Sequence, residues 1–207
     1  MAEKRLSENC ILCNAMTNAK SAAPTLYNTI LFESENFLVT PCIGPLVARQ
    51  LLISSKDHFQ NLAQMGNDRI VEFHNLVLQL ERAQKKAENY LLAEHGSFDD
   101  QTGGGCITHA HIHLIPGFAQ YYDILDPLLS ILDGDDNGTI HANLREPYIY
   151  TSNSERQSRI YSAYNGHSQM IRKALCSKLG RSDWNWRNDP KDELVKQTIT
   201  FWQNGKF

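Results

Sequence analysis

Alternating and continuous apolar stretches predict strands in the first quarter of this 207-residue chain. Residues 26–32 and 37–40 are rich in β-branched and aromatic side chains, and the polar segment 33–36 between them is typical of a turn. We therefore expect these segments to form a hairpin. A further apolar run over residues 50–54 predicts a third strand.

A long helix is predicted from about Asn67 to Leu92, because apolar residues recur there at spacings of three and four. They are Ile70, Phe73, Val77, Leu80, Ala87 and Leu91. Asn67 or Asp68 would cap its start, and Gly96 would end it. Another strand is then expected near residues 105–115.

The second half of the chain changes character and predicts shorter elements. These are a helix over 119–132 that Pro127 would interrupt, a hairpin of 147–151 with 158–161, and helices over 167–179 and 190–202. We predict an α+β fold: an antiparallel sheet with a long helix in residues 1–117, and a C-terminal α/β extension in residues 118–207 that packs on it.

Composition narrows the class of protein. A hydrophobic content of 42% and a charged content of 21% are ordinary for a globular domain. A net charge of −3 disfavours a nucleic-acid or membrane-surface partner. No apolar run reaches the roughly 20 residues that span a bilayer, and the first residues lack an apolar signal core, so a cytoplasmic location is expected.

The most informative stretch holds three histidines at alternate positions, His109, His111 and His113, after a run of glycines. Alternate side chains of a strand point to the same face, so the three imidazoles would share one face. Three exposed imidazoles have no packing purpose. They would either bind a metal or act on a phosphate by nucleophilic and acid–base chemistry.

This stretch, His109-Ala110-His111-Ile112-His113-Leu114-Ile115, resembles the His-x-His-x-His-x-x signature of the histidine triad (HIT) superfamily. The resemblance covers about residues 8–117 and includes the preceding strands and the segment Lys56-Asp57-His58. It implies an α+β fold, commonly dimeric, that cleaves or transfers nucleoside phosphates.

The resemblance also implies roles for individual residues. His111 would be the nucleophile that attacks an α-phosphorus, and its other ring nitrogen would donate to an acceptor such as a backbone carbonyl. His113 would donate a hydrogen bond to the phosphate or to the leaving-group oxygen. Backbone N–H groups of Gly104, Gly105 and Cys106 would contact the phosphate oxygens.

Two cysteines depart from the family pattern. Cys106 stands where many members carry a serine, and a thiol is a weaker hydrogen-bond donor. Cys42 stands where hydrolytic members often carry an acidic residue for the ribose hydroxyls, so recognition of ribose by the usual group is in doubt.

A zinc site is predicted from cysteine and histidine positions. The chain has five cysteines, an odd number, and the Cys10-x-x-Cys13 pair fits metal binding or free thiols better than disulfides. By resemblance to some HIT branches, His58 and His109 would complete a structural Cys2His2 set. The alternative is two reduced cysteines in an N-terminal turn.

Weaker signals lie in the C-terminal part. A helix that begins near Ser168 would present its N–H groups, Gln169 and Arg172 to a substrate anion. The alternative is a capping serine and a solvated arginine. Trp184 and Trp186 indicate either packing or a platform on which a base stacks.

Two other segments are better explained by structure than by function. Residues 133–137 resemble the start of an EF-hand loop, but Leu144 takes the place of the bidentate glutamate, so an acidic turn is expected. His95 would lie near the phosphates or would only precede the glycine that ends a helix.

We therefore expect a nucleotide hydrolase that cleaves a nucleoside phosphoanhydride, such as a dinucleoside polyphosphate, or a related phosphoester, through a nucleotidyl-histidine intermediate. The alternative on the same fold is a nucleotidyltransferase or phosphorylase that uses phosphate or a sugar phosphate as acceptor. Two other hypotheses are a metalloenzyme with all three histidines on one catalytic ion and a nucleotide-binding regulator without turnover. A homodimer is expected.

Overall fold

The computed structural model of the protein describes residues 10–21, 26–83, 89–98, 107–133, 140, 144–164 and 166–205. Its helices are α1 (Ile11–Ser21), α2 (Asn67–Ala83), α3 (Met170–Lys178) and α4 (Asp192–Asn204), with single 3₁₀ turns at Leu62–Gln64 and Ala119–Tyr121. Its strands are β1 (Phe32–Glu33), β2 (Phe37–Pro41), β3 (Leu51–Ser55), β4 (Tyr90–Gly96), β5 (His111–Pro116), β6 (Ile131–Asp133), β7 (Tyr148–Asn153) and β8 (Ser158–Ser162). None of these described helices is both long and apolar enough to cross a membrane. The predicted α+β class is confirmed.

The eight strands form one antiparallel sheet in the order β1-β2-β3-β5-β4-β7-β8-β6. The histidine-bearing strand β5 lies inside this sheet, between β3 and β4. In the register of β3 with β5, Ser54 is opposite His111 and Leu52 is opposite His113. Strand pairing therefore holds His113 from both sides, opposite Leu52 of β3 and Ala93 of β4, and holds His111 from the β3 side.

Two apolar cores cover the two faces of the sheet. On one face, Ile53 and Ile112 belong to a core that includes Phe73 of α2. On the other face, Ile115 belongs to a core that includes Leu175 of α3. Since successive residues of a strand face opposite sides, His111 and His113 lie on the α3 side.

Both predicted hairpins are present. The first joins β1 and β2, with Phe32 opposite Val39, although β1 is only two residues long. The second joins β7 and β8, with Tyr150 opposite Ile160. The third predicted strand is β3.

The long helix predicted to Leu92 is wrong beyond its first 17 residues, because α2 spans Asn67–Ala83 and residues 90–96 form β4. The run Tyr90-Leu91-Leu92-Ala93 is buried on both faces of the sheet. A central strand with two covered faces has a continuous apolar sequence, which periodicity alone does not distinguish from a helix. Gly96 therefore ends a strand and not a helix.

The predicted helix over 119–132 is also wrong. One 3₁₀ turn, Ala119–Tyr121, is followed by turns, and Ile131–Asp133 is a strand. The turns close through hydrogen bonds between residues three apart, such as Ile124 N–H to Tyr121 O at 3.1 Å. The carbonyl of Tyr122 accepts a hydrogen bond from the hydroxyl of Thr151 in β7 at 2.5 Å. Its partner is therefore a residue of the sheet and not an amide of a following helical turn.

The two C-terminal helices are present, with later starts than predicted. Helix α3 begins at Met170 instead of near 167, and α4 begins at Asp192, two residues after Pro190. Helix α1, where only a turn was considered, was not foreseen. The division of the chain at residue 117 stays a prediction, and the sheet runs across it, because β4 pairs with β7.

Candidate active site

His111 and His113 lie side by side on the floor of a cleft of about 480 Å³. Their ring centroids are 5.5 Å apart and the ring planes are nearly perpendicular, at 79°. Both side chains emerge from β5, as the alternation of the sequence predicts. Thr40 and Leu52 from the neighbouring strands extend the floor beside His113.

One ring nitrogen of His111 is committed to the backbone. Its Nδ1 lies 2.6 Å from the carbonyl oxygen of His109. A carbonyl only accepts, so Nδ1 carries the hydrogen and Nε2 carries the lone pair. Burial lowers the pKa of His111, although the bond to the His109 carbonyl opposes this effect. A neutral imidazole with a free Nε2 is the form that a nucleophile requires.

The neighbouring His113 has the opposite arrangement. The Gln50 side-chain oxygen accepts from Leu46 N–H at 2.7 Å, which fixes the orientation of the amide. The Gln50 nitrogen then donates to His113 Nδ1 at 3.4 Å and to the Cys42 sulfur at 3.3 Å. Because Nδ1 accepts, the hydrogen of neutral His113 is on Nε2, where it is available as a donor. Burial, the charge of Arg172 and, whenever it is protonated, the charge of His111 hold the pKa of His113 well below its usual range.

Cys42 lies against His113, with its sulfur 3.5 Å from Nδ1. Burial raises the pKa of the Cys42 thiol to about 12, although the charge of Arg172 opposes the shift. The thiol is therefore neutral near pH 7. A neutral thiol does not accept hydrogen bonds from the two ribose hydroxyls as a carboxylate would. Cys42 instead packs against the imidazole of His113.

Cys10, Cys13, His58 and His109 come together next to this cleft, and their ligand atoms all lie within 4.8 Å of one another. The Cys13 sulfur is 3.4 Å from Nδ1 of His58 and 3.4 Å from Nδ1 of His109. The Cys10 sulfur is also 3.4 Å from Nδ1 of His109. Sulfur and nitrogen ligands about 2.0–2.3 Å from a tetrahedral zinc ion have separations of this size.

The tautomer of His109 fits a metal ligand. Its Nε2 lies 2.7 Å from the carbonyl of Ser55, so Nε2 carries the hydrogen and Nδ1 presents its lone pair to the cysteines. Burial lowers the pKa of His109 to about 4, which keeps the ring neutral. His109 precedes β5 and its ring joins the cysteine cluster. The expectation that all three histidines share one strand face is therefore wrong for His109 and right for the other two.

Gln169 and Arg172, the residues predicted to bind a substrate anion, also line the cleft. Arg172 is only 9% exposed, and its Nε donates to the carbonyl of Trp184 at 2.8 Å. Burial lowers the pKa of Arg172. Gln169 precedes α3 in a left-handed conformation, with φ of 62°. Ser168, the predicted cap, does not line the cleft.

One wall of the cleft is apolar and comes from α1. Ile11, Leu12 and Ala15 line it, and Tyr27 and Asn28 line the same cleft. Helix α1 also carries Cys13, so one residue of the metal-ligand cluster and this wall belong to one short helix. The apolar wall was not foreseen, because no helix was predicted there.

Other predicted site residues fall in different places. His95 does line the cleft, but it belongs to β4 and not to a helix end. Gly104, Gly105 and Cys106 lie outside the described residues, as do residues 134–137 of the acidic turn.

Gln50 is the clearest residue that sequence reasoning missed as a functional one. It stands at the start of an apolar strand, where a polar side chain with 1% exposure is unusual. That single polar residue beside a buried run is the only signal in the sequence. The partner, His113, is 63 positions away.

Among the comparisons with known proteins, only the comparison with solved structures found similar chains. No family model matches the chain, and no curated protein matches its sequence. A HIT family hydrolase from Clostridium thermocellum is 23% identical, with a TM-score of 0.40, over 54% of this chain and 92% of that one. A Zn-bound histidine triad family protein from Mycobacterium smegmatis is 22% identical, with a TM-score of 0.39, over 52% and 74%. A hypothetical protein from Leishmania major is 26% identical, with a TM-score of 0.40, over 52% and 72%.

The similar structures include histidine triad proteins. Each of these matches covers about half of this chain.

Proposed function

We propose that the chain is a histidine triad enzyme that hydrolyses a nucleoside phosphoanhydride through a covalent nucleotidyl-His111 intermediate. The hydrogen bond from Nδ1 of His111 to the carbonyl of His109, at 2.6 Å, carries this proposal. It leaves Nε2 as the only free ring nitrogen, in a residue that lines the cleft. A His113 tautomer with hydrogen on Nε2 supplies a donor beside this nucleophile.

The reaction has two displacements at one phosphorus. Nε2 of His111 attacks the α-phosphorus, and the bond to the bridging oxygen breaks, with its electron pair leaving on that oxygen. A water molecule then attacks the same phosphorus and the P–N bond breaks, so the electron pair returns to Nε2. One water proton is released, and the products are a nucleoside monophosphate and the remaining phosphate-containing fragment.

The chain's own groups stabilise the charges that this sequence creates. During the first displacement His111 becomes cationic, and the His109 carbonyl accepts a stronger hydrogen bond from its Nδ1–H. Nε2–H of His113 donates to a phosphate oxygen, and the guanidinium of Arg172 offsets phosphate charge in a buried setting. The apolar wall of Ile11, Leu12 and Ala15 suits the face of a nucleobase.

We also propose that Cys10, Cys13, His58 and His109 bind a structural zinc ion. The fit rests on the four ligand atoms and on the His109 Nε2–H bond to Ser55, which aims Nδ1 at the cysteines. A bound ion would neutralise the two thiolates and tie α1 to the sheet. The ion would thereby hold the apolar wall of the cleft next to strand β5, which carries His111 and His113.

The hypothesis of one catalytic ion on all three histidines fits the structure less well. The metal-ligand group found among the described residues includes His109 but neither His111 nor His113. His109 points Nδ1 at the cysteines and uses Nε2 for Ser55, so no ring nitrogen of His109 is left for the cleft.

Trapping the covalent adduct tests the proposal. The protein is mixed with a dinucleoside tetraphosphate, quenched during turnover and measured by intact mass. We expect an added nucleotidyl mass that His111→Ala abolishes together with turnover. The matched control is His74→Ala, which removes an imidazole on α2 outside the cleft and should keep both. Turnover by His111→Ala at the wild-type rate would overturn the mechanism.

The same assay distinguishes a hydrolase from a transferase. Water as the acceptor yields a nucleoside monophosphate, whereas inorganic phosphate as the acceptor yields a nucleoside diphosphate. We expect the monophosphate with or without added phosphate. A diphosphate that forms only with phosphate present would assign the chain to the phosphorylase alternative.

Three further properties stay predictions: a homodimer, a cytoplasmic location and the lack of a nucleic-acid partner. Light scattering of the purified chain measures the first. Fluorescent-antibody localisation in the source cell measures the second. A gel-shift assay with mixed-sequence RNA and DNA measures the third.

A further inference from the structure

The structure separates the two tryptophans of the C-terminal segment. Trp184 packs against the core on the α3 side of the sheet, and Lys173 stacks on its ring at 4.4 Å from the centroid. Trp186, two residues later, is half-buried and lines the cleft that holds the catalytic histidines. The guanidinium of Arg187 lies over the Trp186 ring at 4.6 Å. Only Trp186 is placed to meet a substrate.

Neighbouring groups hold Trp186 in position. Gly44 has a φ of +58°, and a Cβ on it would lie 2.5 Å from the Cβ of Trp186, so only glycine lets the two segments approach this closely. The Gly44 N–H also donates to the carbonyl of Pro190 at 2.8 Å. The segment around Trp186 is thus fixed against the loop that follows β2.

Helix α3 holds the same segment from the other side. Arg172 Nε donates to the carbonyl of Trp184 at 2.8 Å. In the orientation that satisfies both ends of its amide, Gln169 donates to the same carbonyl at 3.1 Å and accepts from Nη1 of Arg187 at 3.1 Å. Gln169 and Arg172 therefore build a pre-formed wall together with Trp186.

The wall formed by Gln169, Arg172 and Trp186 carries a positive charge that no acidic residue of the cleft lining balances. Among the described residues that line the cleft, Arg172 is the only arginine, lysine, aspartate or glutamate. Its guanidinium makes no direct ion pair with a carboxylate of the described residues, and the charge of Asp183 acts on it only without contact. A cation with 9% exposure and no carboxylate partner is costly unless an anion joins it. A phosphate of the substrate would supply that anion.

We propose that Trp186, Arg172 and Gln169 form a second subsite, which binds the leaving nucleotide of a dinucleoside polyphosphate. A phosphate beyond the scissile bond would lie on Arg172, and the second base would stack on the Trp186 ring. The α1 wall would bind the first base, and His111 and His113 line the same cleft. This inference rests on the proposed function and adds the residues that would bind the leaving nucleotide.

The test compares two substrates that share the attacked half. One is a dinucleoside tetraphosphate, and the other is a nucleoside monophosphate p-nitrophenyl ester, whose leaving group has neither a second phosphate nor a base. We expect Trp186→Ala to lower the ratio of kcat/KM for the dinucleotide over the ester by about tenfold, since stacking of a base on an aromatic side chain contributes about 1–3 kcal/mol. Trp186→Phe, which keeps an aromatic face, should restore most of the ratio.

Trp184→Phe is the matched control, because it alters an indole of the same segment outside the cleft. We expect it to leave the ratio as in the wild type. A binding measurement provides a second readout: titration of the His111→Ala protein with the dinucleotide should quench tryptophan fluorescence, and Trp186→Phe should remove most of the quench.

The outcomes separate the two proposals. If Trp186→Ala lowers kcat/KM equally for both substrates, or for neither, the second subsite is wrong while the His111 mechanism stands. If His111→Ala still turns over both substrates, the proposed function fails regardless of the Trp186 result.

Discussion

Gln50 donates to Nδ1 of His113 at 3.4 Å, while Nδ1 of His111 donates to a backbone carbonyl. The two adjacent imidazoles therefore hold opposite tautomers, one with a bare Nε2 and one with Nε2–H. The other donor beside His113 Nδ1 is the Cys42 thiol at 3.5 Å, and a thiol is a weaker donor than an amide. Gln50 is a positioning residue that acts through His113.

Gln50→Glu tests this relationship. A carboxylate would accept from Nδ1 of His113 and would move its hydrogen away from Nε2. We expect kcat to fall by about a hundredfold, the lower end of what a positioned proton donor contributes. Nitrogen NMR of the His113 ring should report hydrogen on Nδ1 in the variant and on Nε2 in the wild type.

Cys42→Ala is the matched control, because it removes the other neighbour of His113 Nδ1 and leaves the amide in place. Its kcat should stay within a few-fold of the wild type. An unchanged tautomer in Gln50→Glu would refute the positioning role even if activity fell.

Removal of one cysteine ligand should release α1. Cys13→Ser takes away the sulfur that lies 3.4 Å from both His58 and His109. We expect loss of bound zinc by elemental mass spectrometry and faster amide exchange in residues 12–17. At a free zinc concentration a thousandfold above its dissociation constant, the ion stabilises the fold by about 4 kcal/mol, so Tm should fall accordingly.

Cys176→Ala is the control for this experiment, because Cys176 is a fully buried thiol of the core on the α3 side, away from the cluster. It should lower Tm without loss of zinc. Full zinc content in Cys13→Ser would show that the four residues do not form the site.

Glu94 should make stability depend on pH. Burial raises its pKa to about 7 from 4.5, although hydrogen bonds from the Tyr148 hydroxyl and Leu62 N–H oppose the shift. Between these values the folded protein holds a proton that the unfolded chain releases. The contribution of Glu94 to the free energy of unfolding is therefore complete below about pH 4.5. It falls as pH rises through 7, by about 3 kcal/mol in total at 1.4 kcal/mol per pKa unit.

Denaturant unfolding at several pH values checks this slope, and Glu94→Gln should flatten it between pH 5 and 8. Glu72→Gln provides a comparison of opposite sign. Burial raises the pKa of Glu72, but hydrogen bonds from Asn36 and Ser34 outweigh it and lower the pKa. The Glu72 contribution is therefore lost as pH falls. The same slope in Glu94→Gln as in the wild type would contradict the assignment.

Gly96→Ala should destabilise the fold. A Cβ at this position would lie 2.4 Å from the ring of Tyr148, which is fully buried and tied by its hydroxyl to Glu94. Because neither the ring nor the central strand can move freely, we expect a loss of about 1–3 kcal/mol in the free energy of unfolding.

Gly66→Ala is the matched comparison, because a Cβ at Gly66 meets no atom within 4 Å. It precedes α2, where alanine costs at most about 1 kcal/mol relative to a better cap. Equal losses for the two variants in urea unfolding would show that the contact with Tyr148 does not limit residue 96.

The sequence predicted the parts of the site that depend on local pattern. Alternation placed His111 and His113 on one face, and both line the cleft. Resemblance named Cys10, Cys13, His58 and His109, and the structure brings these four together. The direction of the His109 ring could not be read from alternation, because His109 precedes the strand and its partners come from a distant helix.

What the sequence did not predict depends on contacts between distant segments. Residues 90–93 read equally well as helix or strand until β5 and β7 are known to flank them. The amide of Gln50 matters only because β3 and β5 pair. Trp184 and Trp186 lie only two positions apart in the sequence, and the packing of Gly44 and α3 decides which one lines the cleft.

The pairing of β4 with β7 has a consequence for any shortened form of this protein. Residues 91–96 of β4 are hydrogen-bonded across their whole length to residues 148–153. A fragment that ended at residue 117 would expose that backbone edge, beside apolar faces that the lost half covers. Such an open edge recruits further strands, so a shortened chain should self-associate in place of behaving as an independent unit.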